Sequence, residues 1–350
     1  RFWFINKWQD VIIDDQLPTF DGQLLYLTPT SRNEYWLPLL QKAYAKFCGS
    51  YELSDRNTFA QCIKDLTGAP VETLLIQSQS SSTLLWRLTL ALKTTTLITV
   101  SNIRPNTGTQ VNKKGLLINH IYIVKKLFKV RDLTQNDILL VQLKNLWANI
   151  TWTGEWSYQS SIWQSLSNEV QLELLRNHQT NTFWMSYNDF ITSFTYINFI
   201  YLSEMNIFDD TYKNRLLWHM VYSQKLIFKI GFNAGGPPSV LDSFHVNPQL
   251  LLQAPNDTQI IIEINTAELN VIDCSIYRVP LNCVQSDIYR KEFFINQQQM
   301  IISSLNNDKN VLWHFMLPPG YYLLIPHHDR INIEGTYFIR LYSDRNVNIR

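Results

Sequence analysis

The sequence is poor in cysteine: Cys48, Cys62, Cys274 and Cys283 are the only four in 350 residues, with no CxxC pair and no metal-ligand spacing. That count argues against a disulfide framework and a thiolate zinc site, and points to free thiols in a reducing cytosol. An excess of one charge sign is also lacking. Thirty basic residues against 29 acidic ones leave a formal charge of +1. With no Lys/Arg block, the chain offers no electrostatic footprint for nucleic acid or an anionic membrane surface. The longest apolar region, Thr83 to Val100, is broken by Arg87, Lys93 and a run of threonines, so no transmembrane helix is expected. Internal repeats, low-complexity tracts and EF-hand loops are absent. No signal-peptide pattern precedes Arg1, where the chain starts directly in a strand-like aromatic segment. The expectation is a fragment of something longer.

What is present is apolar material for about two or three compact units. Trp8 to Asp15 has a strand-like run, and Gln23 to Leu27 fits a hairpin after the turn chemistry of Leu17 to Gly22. Glu34 to Cys48 carries apolar residues at helical spacing, with Gly49 at the C-terminal cap position, and Asn57 to Leu66 reads as a second amphipathic helix. A helix is expected over Ser80 to Leu92, then strands over 96–100, 116–124 and 138–143. Helices follow at 165–176 and 187–194, with an extended segment at 182–185 between them. Asn206 to Asn214 is polar and acidic, as a linker would be. Beyond it, short strands recur between Pro, Gly and Asn turns, the pattern of an all-β sandwich.

One constellation carries chemistry. If the strands around His120 and Ile138 to Leu143 form a hairpin about Asp132, antiparallel pairing brings His120 into the neighbourhood of Asn145. Cross-strand neighbours lie about 4.5–5.5 Å apart, so an Asn amide can hold one imidazole nitrogen. Such a pair is the base half of a Cys-His-Asn protease site, and Trp147 could shield it from water. A satisfied core histidine and a turn asparagine fit the same spacing. His327-His328 are adjacent on an extended strand and point to opposite faces, a poor chelate.

The residues themselves resemble a family, the calpains, which are calcium-dependent intracellular cysteine proteases. Trp8-Gln-Asp-Val-Ile-Ile-Asp-Asp-Gln-Leu-Pro-Thr19 resembles W-x-x-V-x-V-D-D-x-L-P-T, and Leu40-Gln-Lys-Ala-Tyr-Ala-Lys46 with Gly49-Ser-Tyr-Glu52 is similar to L-x-E-K-A-Y-A-K and G-S-Y-E. Lys114-Gly-Leu-Leu-Ile-Asn-His-Ile-Tyr-Ile-Val124 looks like K-x-L-V-x-G-H-A-Y-S-V, and Asn145-Leu-Trp-Ala148 like N-P-W-G. Trp152-Thr-Gly-Glu-Trp156, Phe183 to Phe190, Phe244 to Gln249, Leu317-Pro-Pro-Gly320 and Tyr337-Phe-Ile-Arg340 extend the likeness nearly end to end.

The resemblance implies an α+β chain: a partial papain-like cysteine protease core followed by an all-β sandwich. Residues 1–67 would be the C-terminal part of the first protease lobe, 68–205 the complete β-rich second lobe, 206–216 a linker and 217–350 the sandwich. It places His120 on the catalytic histidine and Asn145 on the catalytic asparagine, with Trp147 in support. The nucleophile and the oxyanion glutamine would lie upstream of Trp8, so the fragment alone is expected to be inactive. Cys48 and Cys62 fall where the family has no nucleophile. Protein substrates, limited cleavage near Gly68 in the cytoplasm, and calcium as cofactor are implied too; a small regulatory subunit stays open. Glu34 matches an acidic ligand of the first-lobe calcium site. In the second lobe the acidic ligands fall on Thr151, Tyr158, Thr180 and Thr182, none of them charged, and Leu146 and Ala148 replace the Pro and Gly of N-P-W-G. These departures favour a rival, a calpain-like scaffold without activity; retention of both His120 and Asn145 opposes it.

Overall fold

The computed structural model describes residues 1–28, 34–103, 110–146, 152–176, 181–203, 215–266, 271–284, 288–296, 299–301 and 310–350. They form two compact units, one of Arg1–Pro70 with His219–Arg350 and one of Val71–Trp218.

The first unit opens with β1 (Phe2–Phe4) and β2 (Lys7–Gln9), an antiparallel pair. The strand read over Trp8 to Asp15 stops at Gln9. Residues beyond it have no partner strand among the described residues, and Ile12 is 82% exposed. A hairpin does form, between β3 (Thr19–Phe20) and β4 (Gln23–Leu24), about Asp21 and Gly22 at φ 51° and 73°. An Asp-Gly turn suits those two positive φ values. Helix α1 (Trp36–Cys48) starts two residues later than the periodicity suggests, with Pro38 in its first turn, where no intrahelical N–H is missed. Next come α2 (Tyr51–Asp55), capped by the Ser50 side chain, and α3 (Phe59–Thr67), capped by Thr58 and ended by Gly68 at φ 69°. Phe2 packs its ring on Tyr44 and Phe47 and so binds the hairpin to α1.

The second unit is a six-stranded antiparallel sheet in the order β5-β10-β6-β7-β8-β9. In chain order it runs β5 (Val71–Leu75), α4 (Ser81–Ala91), β6 (Thr96–Ser101), β7 (Ile121–Arg131), β8 (Asp137–Asn145), α5 (Asn168–Arg176), β9 (Thr182–Ser186), α6 (Tyr187–Ser193) and β10 (Tyr196–Tyr201). Ser80 and Ser186 cap α4 and α6 through their hydroxyls. One core cluster gathers Val130, Leu140, Trp156, Trp163 and Trp184. A strand expected from Leu116 begins only at Ile121, because Leu116 to His120 close a loop instead.

The rest of the first unit is the sandwich. Its elements are β11 (His219–Phe228), α7 (Leu241–Phe244), β12 (Leu250–Ala254), β13 (Thr258–Asn265), β14 (Ile272–Val279), α8 (Lys291–Asn296), β15 (Gln299–Ile301), β16 (Asn310–Leu317), β17 (Gly320–His328), β18 (Gly335–Ser343) and β19 (Asn348–Ile349). One sheet is ordered β11-β18-β13-β16 and the other β15-β14-β17-β12-β19. Alternation puts Ile260, Ile262 and Ile264 of β13 in a shared core with Leu252, Cys274, Ile276 and Leu324 of the other sheet.

The opposite face of β13 carries a charge. Glu263, 1% exposed, meets Lys64 of α3 at 2.8 Å and the Arg340 guanidinium through Nε at 2.7 Å. Lys64 also donates to Asn265 Oδ1, and Arg340 donates to the Gly68 carbonyl while stacking over Trp3. Burial alone would raise the Glu263 carboxyl; the two cations outweigh it and hold the group below the usual range. In this way α3 and the Gly68 that ends it are fixed to the outer face of a sandwich sheet by contacts that span 201 and 272 residues of sequence.

Candidate active site

His120 and Asn145 are positioned by one hairpin and one loop. The loop comes first. Asn112 Oδ1 accepts the backbone N–H groups of Lys114 and Leu116, both at 2.9 Å, and Gly115 turns the chain at φ 81°. The Ile118 N–H reaches the Gln110 carbonyl, and Leu116, Leu117 and Ile118 are buried. Asn119 then takes φ 56°, its N–H donating to the Asn102 carbonyl at 2.9 Å. Asparagine tolerates that left-handed conformation better than other residues with a Cβ. The chain therefore leaves the turn with His120 at the mouth of β7.

Asn145 is the last residue of β8, opposite Tyr122 of β7, and its N–H bonds the Asn181 carbonyl. Its side chain is fully buried, and His120 is 6% exposed. The two side chains meet: His120 Nε2 lies 2.7 Å from Asn145 Oδ1. An amide oxygen only accepts, so Nε2 carries the proton and the lone pair falls on Nδ1. The Tyr122 ring stands edge-on to the imidazole at 4.9 Å, and its hydroxyl accepts the Leu117 N–H at 2.8 Å. Phe183 and Phe194 pack against the other sides of Tyr122. The Asn145 hydrogen bond and the Tyr122 wall thus both hold the imidazole. Such a ring can take a proton at Nδ1 without changing its orientation.

Sequence reasoning brought His120 and Asn145 together and missed Asn119 and Tyr122. The signal for Asn119 was available, since it stands where the resembled pattern has the glycine before histidine. Tyr122 matches the same pattern's tyrosine, two residues after the histidine, but an alternating strand aromatic reads as core. Trp147, Thr151 and Thr180 lie outside the described residues. Glu34 is exposed and belongs to the first compact unit. His327 and His328 diverge as strand alternation requires: the first bonds Ser275 and packs on Phe244, the second bonds the Val271 carbonyl and packs on Phe228 and Tyr337.

Calcium takes six to eight oxygens, several of them carboxylate. Tyr158 and Thr182 instead line a small pocket with Trp163, Leu174, Phe183 and Trp184, so these two neutral positions do not fit a hard cation. Glu34 alone is one exposed carboxylate. No group of three His, Cys, Asp or Glu side chains suited to a metal occurs among the described residues.

Residues 1–201 match the model of the calpain family cysteine proteases, and residues 225–342 match domain III of the calpain large subunit. Calpain-C of Drosophila melanogaster is 31% identical over 97% of this chain and 53% of its own length. Calpain-2 catalytic subunit of Gallus gallus is 30% identical over 99% of this chain and 52% of its own, and Calpain-A of Drosophila melanogaster 29% identical over 100% and 45%. The chain spans about half the length of these relatives. From end to end, across protease region and β-sandwich, it belongs to the calpain family.

Proposed function

We propose that this chain carries the histidine–asparagine half of a cysteine endopeptidase site and that the protein containing it cleaves polypeptides. The observation behind this reading is the buried 2.7 Å contact between His120 Nε2 and Asn145 Oδ1. His120 takes the thiol proton at Nδ1, so that the thiolate attacks the peptide carbonyl, and later returns the proton to the leaving amine. Asn145 holds the ring in one tautomer throughout. A neutral amide suits that task, because a thiolate and an imidazolium already balance each other's charge.

The nucleophile in this reading is a cysteine other than Cys48, Cys62 or Cys274. Burial pushes all three of those thiols up, away from the thiolate form the chemistry needs. Limited cleavage of intracellular proteins is the finer part of the proposal. Calcium dependence rests on Glu34 alone, and the reading does not require it.

The test is casein cleavage by the protein expressed from its complete open reading frame, with His120→Ala beside it. Thiol-dependent cleavage that disappears in the variant is expected. Cleavage that survives in His120→Ala removes this residue from the mechanism. A folded but inactive wild-type protein favours the second reading, a calpain relative acting as a scaffold, which the neutral Tyr158 and Thr182 already suit.

A further inference from the structure

Two of the cysteines that the proteolytic reading leaves unused come together in the first compact unit. Tyr44 and Cys48 stand one turn apart on α1, and Cys62 faces them from α3. All four cysteines are free thiols, and Cys48 and Cys62 are both partly exposed. The Tyr44 hydroxyl has three neighbours: Asn57 Nδ2 at 2.8 Å, Asp65 Oδ2 at 2.9 Å and Cys62 Sγ at 3.5 Å. It has a single proton. The carboxylate, anionic and closer than the sulfur, takes that proton, which leaves the amide and the thiol as donors to the phenol oxygen. Asn57 Nδ2 also reaches Cys48 Sγ at 3.3 Å, so the Asn57 amide and the Tyr44 hydroxyl together link the two sulfurs. Gln61 Nε2 pins the other Asp65 oxygen at 2.6 Å.

The two sulfurs therefore sit at either end of one short chain of polar contacts, Cys48 on the Asn57 amide and Cys62 on the Tyr44 hydroxyl. Burial and the nearby Asp65 carboxylate both push the thiols up, so at rest each is a neutral S–H and neither serves as a standing nucleophile. What two neighbouring thiols can do, and a single one cannot, is share an oxidation.

We propose that Cys48 and Cys62 form an oxidation site that a hydroperoxide converts to an intramolecular disulfide, joining the C-terminal end of α1 to α3. One sulfur, on losing its proton, attacks the peroxide O–O bond, giving a sulfenic acid and releasing water or an alcohol. The second thiol then attacks the sulfenic sulfur; the S–S bond forms, the S–O bond breaks and a second water leaves. The two electrons come from the pair of sulfurs and the peroxide is reduced; a dithiol reductant returns the disulfide to two thiols by exchange and is itself oxidised to a disulfide. The Asn57 amide and the Tyr44 hydroxyl must give up their contacts with the sulfurs for the bond to form. Cys48 is the last residue of α1 and is followed by Gly49 at φ 105°, so the sulfur that moves sits on a helix end with a permissive backbone beside it. The proposal does not depend on proteolysis.

The experiment treats the folded 350-residue chain with hydrogen peroxide, counts thiols and maps tryptic peptides under acidic, non-reducing conditions. Loss of two thiols is expected, with residues 47–56 linked to residues 57–64 at a mass two hydrogens below their sum, and with release by dithiothreitol. Cys48→Ser and Cys62→Ser should each abolish the link. Sulfinic or sulfonic acid accumulating separately on the two cysteines overturns the proposal. So does a link that forms no faster in the folded chain than in the chain unfolded in urea, since the fold would then not select the pair. Neither of these outcomes depends on a variant folding.

Discussion

His120 Nε2 and Asn145 Oδ1 lie 2.7 Å apart in a buried pocket walled by Tyr122. The bond fixes a tautomer, so nitrogen NMR of the labelled chain at alkaline pH should show the proton on Nε2. Asn145→Ala should let both tautomers exchange. In a cleaving protein the same variant should lower kcat by roughly 100-fold, the scale of a misplaced catalytic group, while KM changes little. An Nδ1–H tautomer in the wild type would reverse the assignment of the amide oxygen and leave Nε2 as the basic nitrogen.

Asn119 precedes that histidine at φ 56°. Asn119→Gly keeps access to the left-handed region and should shift stability by less than about 1 kcal/mol. Asn119→Val puts a β-branched side chain where its Cβ collides with the backbone and should cost about 1–3 kcal/mol. Urea unfolding of both variants checks the contrast. Equal midpoints would mean that the turn ahead of His120 is not held in this conformation.

His120 and Asn145 were legible in the sequence because antiparallel pairing has a constant index sum, and the hairpin about Asp132 obeys it apart from one bulge between Val124 and Lys126. The β-sandwich was legible because its turns are spelled in Pro, Gly and Asn and its core strands alternate. What Asn119 and Tyr122 do was not, since a turn conformation and an aromatic wall depend on packing that one strand's pattern does not record. The Lys64–Glu263–Arg340 cluster was invisible for a plainer reason. Its members are scattered from α3 to β18, and no local periodicity relates them.

In that cluster one carboxylate serves two cations, so neutralising Glu263 leaves both without a counter-charge. Glu263→Gln leaves Lys64 and Arg340 facing each other in a buried site and should destabilise the first unit by roughly 3–5 kcal/mol. The pH dependence follows from the lowered Glu263 carboxyl. A depressed acid contributes stability above its unfolded value, about 4.3, and loses it as pH falls through the lower folded value. The wild type should therefore lose stability on this acid limb, and the glutamine variant should not show that loss. Melting curves at neutral and acid pH decide it; a variant that melts with the wild type at neutral pH would show that the cluster holds nothing together.

Asp273 and His327 stand opposite each other on β14 and β17 and titrate in opposing senses. Burial raises Asp273 to about 6, with the Cys274 N–H opposing, and lowers His327 to about 4. Because the folded state holds the aspartate's proton more tightly than the unfolded chain, that residue's contribution declines as pH rises through 4 to 6. The folded state resists protonation of the histidine, so its contribution is lost as pH falls from about 6.5 toward 4. In the wild type the two slopes oppose each other over nearly the same window. Asp273→Asn keeps an acceptor for the Cys274 N–H and removes one slope, so its stability relative to wild type should rise with pH, by about 1–3 kcal/mol between pH 4 and 7. His327→Gln should show the opposite trend relative to wild type, gaining as the solution is acidified. Denaturant melts of the three proteins across that window test the pairing, and parallel curves would show that neither group titrates with folding.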